Sequence, residues 1–226
     1  ITDLVTHKVT KSTLDGKILN EWGWPEGTGK YKTESEYKPS WTLHMKDGSF
    51  FVLDGYGKDY IHRYAPDGKL AQTLGGSEGG ITHWGPHGGM IDHAGNQPTL
   101  LIAMSDQQYL LRLSTQGEKL QQIDLPGGNP RQIRFHNGYY YVAHLADNWP
   151  KDRKSRGFVS VLDQQFRVVS NIAGSAPSYE GGNLKKMNAT DQVFQHPHDL
   201  ILDEDDSIYV AQFDSGATYP IKLERI

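Results

Sequence analysis

The sequence predicts an all-β protein, and three features of its 226 residues point to that class. Glycine contributes 25 residues and aromatic residues make up 11% of the chain, which suits many short strands joined by tight turns. Asp-Gly, Gln-Gly and Asn-Gly pairs separate short apolar runs, as expected for antiparallel hairpins. The same pattern of runs and turns recurs along the chain, so we expect a fold built from repeats.

The repeats have a period of about 45 residues, and each holds four short strand-like runs. Four units begin near Pro39, Pro86, Pro130 and Pro197. Four antiparallel strands in about 45 residues are typical of one blade of a β-propeller. The interval before the last unit is longer than the others, which predicts insertions at residues 147–156 and 173–195.

The first unit is preceded by residues 4–23, whose pattern predicts only the outer half of another blade. We therefore expect a single propeller domain over residues 1–226, incomplete at its N-terminus, with about four and a half blades of an expected six. An open ring would expose two sheet edges and part of its core. The missing strands are expected from upstream residues, since Ile1 is not a start methionine, or from another chain.

Composition excludes several classes of partner and chemistry. The chain has 23 Lys and Arg against 27 Asp and Glu, so its net charge of -4 gives no strong attraction to nucleic acid or to an anionic membrane. Mean hydropathy is -0.62, and no apolar run approaches the roughly 20 residues of a membrane span. The absence of cysteine excludes disulfides, cysteine nucleophiles and thiolate zinc sites.

Two histidines occupy the same position of the repeat. His87 and His198 each follow the proline that opens a unit, so a radial arrangement of blades would bring both imidazoles to the axis. Neutral imidazole nitrogens there suit Zn²⁺ or Cu²⁺. His196 lies two residues before His198, on the same face of an extended strand, and would be an additional ligand. The alternative is that each ring packs at a strand start and bonds to a neighbouring carbonyl. Arg131 holds this position in the third unit.

The loop after the second strand of each unit is expected to reach the same face of the propeller. These loops carry Tyr56, Ser105, His144 and Phe213. Together they would supply hydroxyl, imidazole and ring surface to a small-molecule or peptide ligand at the channel mouth. Tyr56 is the strongest candidate because it follows a glycine in a tight turn, although its ring could instead cover the blade edge.

The first predicted insertion is rich in basic residues. Beside Trp149-Pro150 it carries Lys151, Arg153, Lys154 and Arg156. Such a run is usually a solvated loop, and the alternative is a contact with a phosphate or an acidic partner.

Several of these segments resemble a known family. The Asp54-Gly55-Tyr56-Gly57 and Ile61-His62-Arg63-Tyr64 runs, with Pro86-His87-Gly88 and Pro197-His198-Asp199, are similar to the NHL-repeat propellers. Within that group they resemble the peptidyl-hydroxyglycine lyase domain, which completes the C-terminal amidation of peptides. The resemblance implies a six-bladed propeller with an axial zinc held by three histidines and a calcium nearby.

The resemblance also implies roles for individual residues. His87 and His198 would be the second and third zinc ligands, Asp199 the calcium ligand and Tyr56 the catalytic tyrosine. Ser105 stands where the family carries a catalytic arginine, and Arg131 would have to supply that charge from another blade. The reaction implied is deprotonation of a metal-bound hydroxyl followed by cleavage of a carbon–nitrogen bond, which releases an amide and glyoxylate.

Three functions are compatible with these residues. The first is an extracytoplasmic, metal-dependent lyase acting on a peptide-like or small hydroxylated substrate. The second is a non-catalytic NHL propeller that binds a peptide, glycan or protein partner on its top face. The third is a calcium-dependent lactonase-type propeller, which is the weakest because that class uses Asp, Glu and Asn at axial positions where this chain has His and Arg.

Overall fold

The structure is a computed structural model, and it describes residues 1–81 and 85–224. It is an all-β propeller of five blades with 4% helix, as the repeats predicted for the fold class. The helical part consists of three short 3₁₀ helices at Glu26–Thr28, Glu34–Glu36 and Ser77–Gly79. In the described part of the chain, no helix is long and apolar enough to cross a membrane.

Three of the blades have four antiparallel strands that are hydrogen-bonded in chain order. The strands are numbered in chain order, and blade 2 contains β4 (Trp41–His44), β5 (Phe50–Leu53), β6 (Tyr60–Tyr64) and β7 (Leu70–Gly75). Blade 3 contains β8 (Pro86–Asp92), β9 (Thr99–Met104), β10 (Tyr109–Ser114) and β11 (Lys119–Asp124). Blade 4 contains β12 (Pro130–His136), β13 (Tyr139–His144), β14 (Phe158–Leu162) and β15 (Val168–Ile172).

The first and last blades have three strands each. Blade 1 contains β1 (Thr2–Asp3), β2 (Lys8–Ser12) and β3 (Ile18–Trp22). Blade 5 contains β18 (Pro197–Leu202), β19 (Ile208–Gln212) and β20 (Ile221–Leu223). The expected half blade at residues 4–23 therefore gains the two-residue strand β1, which corrects the count from four and a half blades to five. A total of six blades stays a prediction.

The strands that lie in the middle of a blade are those with continuous apolar sequence. All six residues of β9 are buried, because both faces of this strand are covered by neighbouring blades. The outer strand β11 buries only Ile123 and exposes its polar residues. The core thus lies between blades, where Leu101 of blade 3 packs in one cluster with Ile133 and Tyr140 of blade 4.

Glycine allows the turns and the close contacts that the repeats require. Gly48 adopts a φ of 89° in the turn between β4 and β5, a conformation that other residues rarely adopt. Gly88 of β8 lies so close to blade 4 that a Cβ at this position would be 2.2 Å from the carbonyl oxygen of Arg131. Neighbouring inner strands consequently approach each other closely around the axis.

Both predicted insertions are present as irregular segments. One lies between β13 and β14, and the other between β15 and β18 contains the small hairpin β16 (Tyr179–Glu180) and β17 (Asn183–Leu184). The peptide bond between Trp149 and Pro150, in the first insertion, is cis. This insertion places Trp149 near Phe213, which directly follows β19 of blade 5.

Blade 1 has few inner strand residues, and this leaves a gap beside blade 2. Strand β1 pairs with only two residues of β2. A cavity of about 490 Å³ lies between the two blades and is lined by Val9, Trp22 and Phe50, among others. The indole Nε1 of Trp22 donates a hydrogen bond of 2.9 Å to the carbonyl of Gly68, which ties blade 1 to blade 2.

The packing between blades predicts a large effect of one core substitution. Leu101→Ala should lower the free energy of unfolding by about 2–5 kcal/mol, because it removes a fully buried side chain from the cluster between blades 3 and 4. Leu14→Ala is the control, since Leu14 is exposed, and it should change stability by less than about 0.5 kcal/mol. Urea denaturation followed by circular dichroism measures both, and equal effects would contradict this location of the core.

Candidate functional site

Three inner strands begin with the same backbone irregularity. The pairing register shifts between Pro86 and Gly88 in β8, between Pro130 and Gln132 in β12, and between Pro197 and Asp199 in β18. The residue inside each shift is left out of the ladder, and such bulges redirect a side chain. These residues are His87, Arg131 and His198, so one local device, repeated in three blades, presents three basic side chains at the same end of the inner strands.

The imidazoles of His87 and His198 are in contact. Their ring centroids are 4.8 Å apart and the rings are nearly perpendicular, at 77°. The two residues are far apart in sequence, and the propeller geometry brings them together as the repeat phase predicted.

Tyr56 lies directly beside His87. Its hydroxyl is 2.6 Å from His87 Nε2, and the two rings are 5.2 Å apart. His87 Nδ1 is 3.1 Å from the carbonyl oxygen of Arg131, which can only accept, so Nδ1 carries the proton. The Nε2 atom is then the acceptor and Tyr56 donates. The pair is therefore set up for proton exchange between a hydroxyl and a neutral imidazole.

Asp54 holds the loop that carries Tyr56. Its carboxylate accepts hydrogen bonds from the backbone N–H of Lys38 at 2.6 Å and of Lys58 at 2.7 Å, and from the Tyr31 hydroxyl at 2.7 Å. Burial raises the pKa of Asp54 to about 6. Asp54 is a positioning residue that the sequence pattern alone had not assigned, although the Asp-Gly-Tyr run contains it.

Arg131 is a buried cation in the centre of this cluster. Arg131 is 5% exposed, and its Nε atom has no hydrogen-bond partner among the described residues. Burial lowers the pKa of Arg131, while Tyr56 and Asp106 oppose that change. A buried guanidinium with an unsatisfied donor is suited to binding a carboxylate or a polarised carbonyl oxygen.

The charge of Arg131 acts on the neighbouring imidazoles. Burial, Arg131 and His198 hold the pKa of His87 well below its usual range. Burial and Arg131 lower the pKa of His198 to about 4. Burial raises the pKa of Tyr56, and the Arg131 cation partly offsets this. At neutral pH the cluster therefore has one positive charge, two neutral imidazoles and a neutral phenol.

Phe213 and Trp149 extend the cluster away from the axis. The Phe213 ring lies 5.9 Å from His198, and Trp149 lies 6.4 Å from Phe213. His196 packs its ring 5.3 Å from Trp149, and its Nδ1 is 3.2 Å from the Phe213 carbonyl oxygen. His196 directly precedes β18 and its register shift, and its role as an additional metal ligand stays a prediction.

Ser105 and His144 are both fully buried, and Ser105 makes a contact between blades 3 and 4 whereas His144 makes one within blade 4. The Ser105 hydroxyl donates a 2.6 Å hydrogen bond to the carbonyl of Pro130. His144 Nε2 is 2.9 Å from the Ser160 hydroxyl, its ring stacks on Phe158, and burial lowers its pKa to about 3. The ligand-binding role of these two residues stays a prediction.

Asp199 of blade 5 pairs with an arginine of blade 4. Arg134 donates from Nη2 to Asp199 Oδ2 at 2.6 Å and from Nε to Oδ1 at 3.1 Å. The same guanidinium lies 5.5 Å from the centre of the Trp41 ring, so it connects three blades. Asp199 is thus paired with Arg134, which the repeat pattern had not singled out, and the calcium role of Asp199 stays a prediction.

The described residues of the cluster supply two of the three histidines that the zinc site implied by the resemblance needs. Among residues 1–81 and 85–224, no three His, Asp or Glu side chains are arranged to hold a metal ion. His87 Nε2 is already hydrogen-bonded to Tyr56, and the Arg131 cation would oppose a second positive charge close by. Zinc and calcium remain predictions of the resemblance.

The electrostatic coupling in the cluster predicts a measurable pKa change. In the wild-type protein, NMR titration of His198 should give a midpoint near pH 4, and Arg131→Met should raise it, because the substitution removes a nearby positive charge. Lys119→Met is the control, since Lys119 is an exposed cation on the outer strand β11, and it should leave the midpoint of His198 in place. An unchanged His198 midpoint in Arg131→Met would contradict the electrostatic effect of Arg131 on His198.

The same low pKa predicts that His198 makes stability depend on pH. Because the folded-state pKa of about 4 lies below the unfolded value of 6.5, the unfolded chain binds the proton more readily. The contribution of His198 is fully present above about pH 6.5 and is lost as the pH falls towards 4. His198→Gln should therefore flatten the fall in unfolding free energy across this window, as measured by urea denaturation. An identical slope in the variant would contradict the assignment.

The Arg134–Asp199 pair also makes a testable prediction. A double-mutant cycle with Arg134→Met and Asp199→Asn should give a coupling energy of about 1 kcal/mol, because both side chains are only one-third exposed and share two hydrogen bonds. Added calcium should leave the melting temperature unchanged. A rise in melting temperature with calcium that Asp199→Asn abolishes would instead support the calcium site.

No protein-family model matches the chain, and no curated protein matches it either. Solved structures do match. A protein of unknown function from Bacteroides caccae is 14% identical, has a TM-score of 0.63, and the alignment covers 97% of this chain and 72% of that one. Streptogramin B lyase is 14% identical with a TM-score of 0.56, and 92% of this chain and 70% of that chain are covered.

A third structure is a catalytically inactive histidine-to-alanine variant of virginiamycin B lyase from Staphylococcus aureus, determined with quinupristin. It is 16% identical with a TM-score of 0.58, and 91% of this chain is covered. This chain spans 56% of the length of that enzyme. Identities this low show a shared fold alone, so the chain is a β-propeller that is similar in fold to streptogramin B lyase.

Proposed function

We propose that the chain is a lyase that acts on a peptide-like or small hydroxylated substrate at the cluster of Tyr56, His87, Arg131 and His198. The observation that carries this proposal is the 2.6 Å contact between the Tyr56 hydroxyl and His87 Nε2 beside the buried Arg131 cation. A proton relay next to a fixed positive charge is the arrangement that an elimination requires.

Arg131 binds the anionic end of the substrate. Its buried Nε–H lacks a partner among the described residues, and a carboxylate that reaches the guanidinium would add to the partial compensation of its charge by Asp106. In water such an interaction is weak, but a buried site strengthens it because the local dielectric constant is low. Arg131 therefore orients the substrate and excludes uncharged analogues.

Binding of an anion also activates the imidazoles. The Arg131 cation lowers the pKa of both His87 and His198, so a carboxylate that offsets this charge raises them towards the usual range for histidine. The imidazole becomes a better base only when substrate is present. This coupling links recognition of the carboxylate to the proton transfer.

For an α-hydroxyglycine substrate, each bond change can be assigned. Tyr56 takes the proton of the substrate hydroxyl as its own proton passes to His87 Nε2. The electron pair left on the oxygen forms the carbonyl, the carbon–nitrogen bond breaks, and His87 gives its extra proton back through Tyr56 to the departing amide nitrogen. The products are an amide and glyoxylate, and the glyoxylate carboxylate remains on Arg131 until release.

The lyases among the solved structures support the reaction class. Virginiamycin B lyase has a similar fold and is inactive as a histidine-to-alanine variant, so a histidine is required on that propeller too. The support is by analogy, because function resides in the site and not in the fold. The NHL type, the six-bladed ring and an extracytoplasmic location belong to the same proposal, and they derive from the resemblance of the repeats.

A second function is favoured by a different observation. The pKa of His87 lies well below its usual range, which makes this imidazole a poor base before an anion binds. A non-catalytic propeller that holds a peptide, glycan or protein partner at the same cluster would need only the guanidinium and the rings. Binding without turnover distinguishes this function from the lyase.

Turnover of defined probes tests the lyase. The wild-type protein should release glyoxylate from an N-acylated α-hydroxyglycine, and quinupristin is the second probe because of the structural neighbour. Tyr56→Phe should lower kcat by about 10²- to 10⁴-fold with little change in KM, since it removes the proton relay and keeps the ring. Arg131→Met should raise KM, because it removes the carboxylate partner.

Tyr139→Phe is the matched control, since Tyr139 is 44% exposed on β13 and contacts none of these residues by hydrogen bond. It should retain wild-type kinetics. Mass spectrometry and a glyoxylate assay follow the products. Failure of the wild-type protein to convert either probe would overturn the lyase, and binding of the probes without conversion would favour the second function.

A further inference from the structure

A row of rings leads from the Tyr56–His87 pair to the insertion between β13 and β14. His87 contacts His198 at 4.8 Å, His198 contacts Phe213 at 5.9 Å, and Phe213 contacts Trp149 at 6.4 Å. The row therefore begins at the proposed reacting atoms and ends in a loop that the reaction itself does not use.

Phe213 is the exposed member of this row. It is 49% exposed and directly follows β19, whereas His87 of the same row is buried. Two hydrogen bonds to His196 hold the backbone of Phe213. The Phe213 N–H donates to the His196 carbonyl at 2.9 Å, and the Phe213 carbonyl accepts from His196 Nδ1 at 3.2 Å. A rigid, exposed ring offers apolar contact area at little cost in conformational entropy.

The far end of the row is positively charged. Arg153 lies 5.1 Å from the centre of the Trp149 ring, in a cation–π contact. Its loop also carries Lys151, Lys154 and Arg156 against Asp147 and Asp152, so the loop is net positive although the whole chain has a net charge of -4. Within the described residues, none of these four side chains forms an ion pair. The loop is therefore complementary to an acidic group.

We propose that Phe213, Trp149 and Arg153 form a recognition subsite for a peptide substrate with an aromatic residue next to its reacting end and an acidic residue beyond it. The aromatic side chain packs on Phe213 and Trp149, and the acidic side chain faces Arg153. This assignment rests on the proposed function for the position of the reacting end, which is held by Arg131.

Binding of peptides that cannot react tests the subsite separately from catalysis. The probes are the N-acetylated tripeptides Glu-Phe-Gly, Glu-Ala-Gly and Gln-Phe-Gly, whose terminal glycine carries the carboxylate but lacks the hydroxyl. By isothermal titration calorimetry, Glu-Phe-Gly should bind about 10-fold more tightly than Glu-Ala-Gly, because a phenylalanine ring is buried. It should bind about 3-fold more tightly than Gln-Phe-Gly at low salt.

Two variants make the test specific. Phe213→Ala should abolish the preference for phenylalanine and leave the affinity for Glu-Ala-Gly unchanged, whereas Arg153→Gln should abolish only the preference for glutamate. Phe135→Ala is the control, since Phe135 is 45% exposed and lies towards the opposite end of its inner strand, and it should retain both preferences. Equal binding of Glu-Phe-Gly and Glu-Ala-Gly, no binding of either, or a preference that survives in Phe213→Ala would overturn the subsite.

The outcomes separate the subsite from the lyase. Tyr56→Phe should keep the preference for phenylalanine, because the tripeptides bind without reacting. If selective binding is observed but no α-hydroxyglycine probe is converted, the lyase fails and the subsite stands. If probes are converted without any preference for an aromatic residue, the subsite fails and the lyase stands.

Discussion

The close approach of neighbouring inner strands is the constraint on which the rest of the site depends. A Cβ on Gly88 would collide with the Arg131 carbonyl oxygen, and one on Gly55 would lie 2.2 Å from the Pro86 carbonyl oxygen. With no side chain between them, the backbones come near enough for His87 Nδ1 to reach the Arg131 carbonyl. This contact sets the tautomer of His87, and the tautomer makes its Nε2 the acceptor for Tyr56.

The bulges turn this packing into a functional arrangement. A regular ladder would alternate side chains between the two faces of each inner strand, whereas the register shifts release His87, Arg131 and His198 from that alternation. Three basic groups then share a small volume, and burial keeps only the guanidinium charged. An anionic ligand is the natural complement, since it offsets the remaining charge and satisfies the free donor of Arg131.

Towards the other end of the inner strands, an ion pair holds neighbouring blades together. Arg134 joins Asp199 and covers the Trp41 ring, so a residue of blade 4 bridges blades 5 and 2. One arginine of β12 is thus balanced within the protein, while the other, three residues earlier, is left with unsatisfied hydrogen-bonding capacity. The contrast separates a structural cation from one that is suited to a ligand.

The sequence by itself determined the all-β class, the blade repeat and the meeting of His87 with His198, because these follow from local periodicity and from the radial symmetry of the repeat. It also placed Tyr56 correctly in a loop at the same end. Only the tertiary structure decided that Ser105 and His144 are buried, that Arg134 is the partner of Asp199, and that Trp149 reaches Phe213. Those outcomes depend on the direction of side chains and on contacts between blades. A bulge of one residue or an irregular insertion can change both, and neither leaves a signal in the pattern of apolar residues.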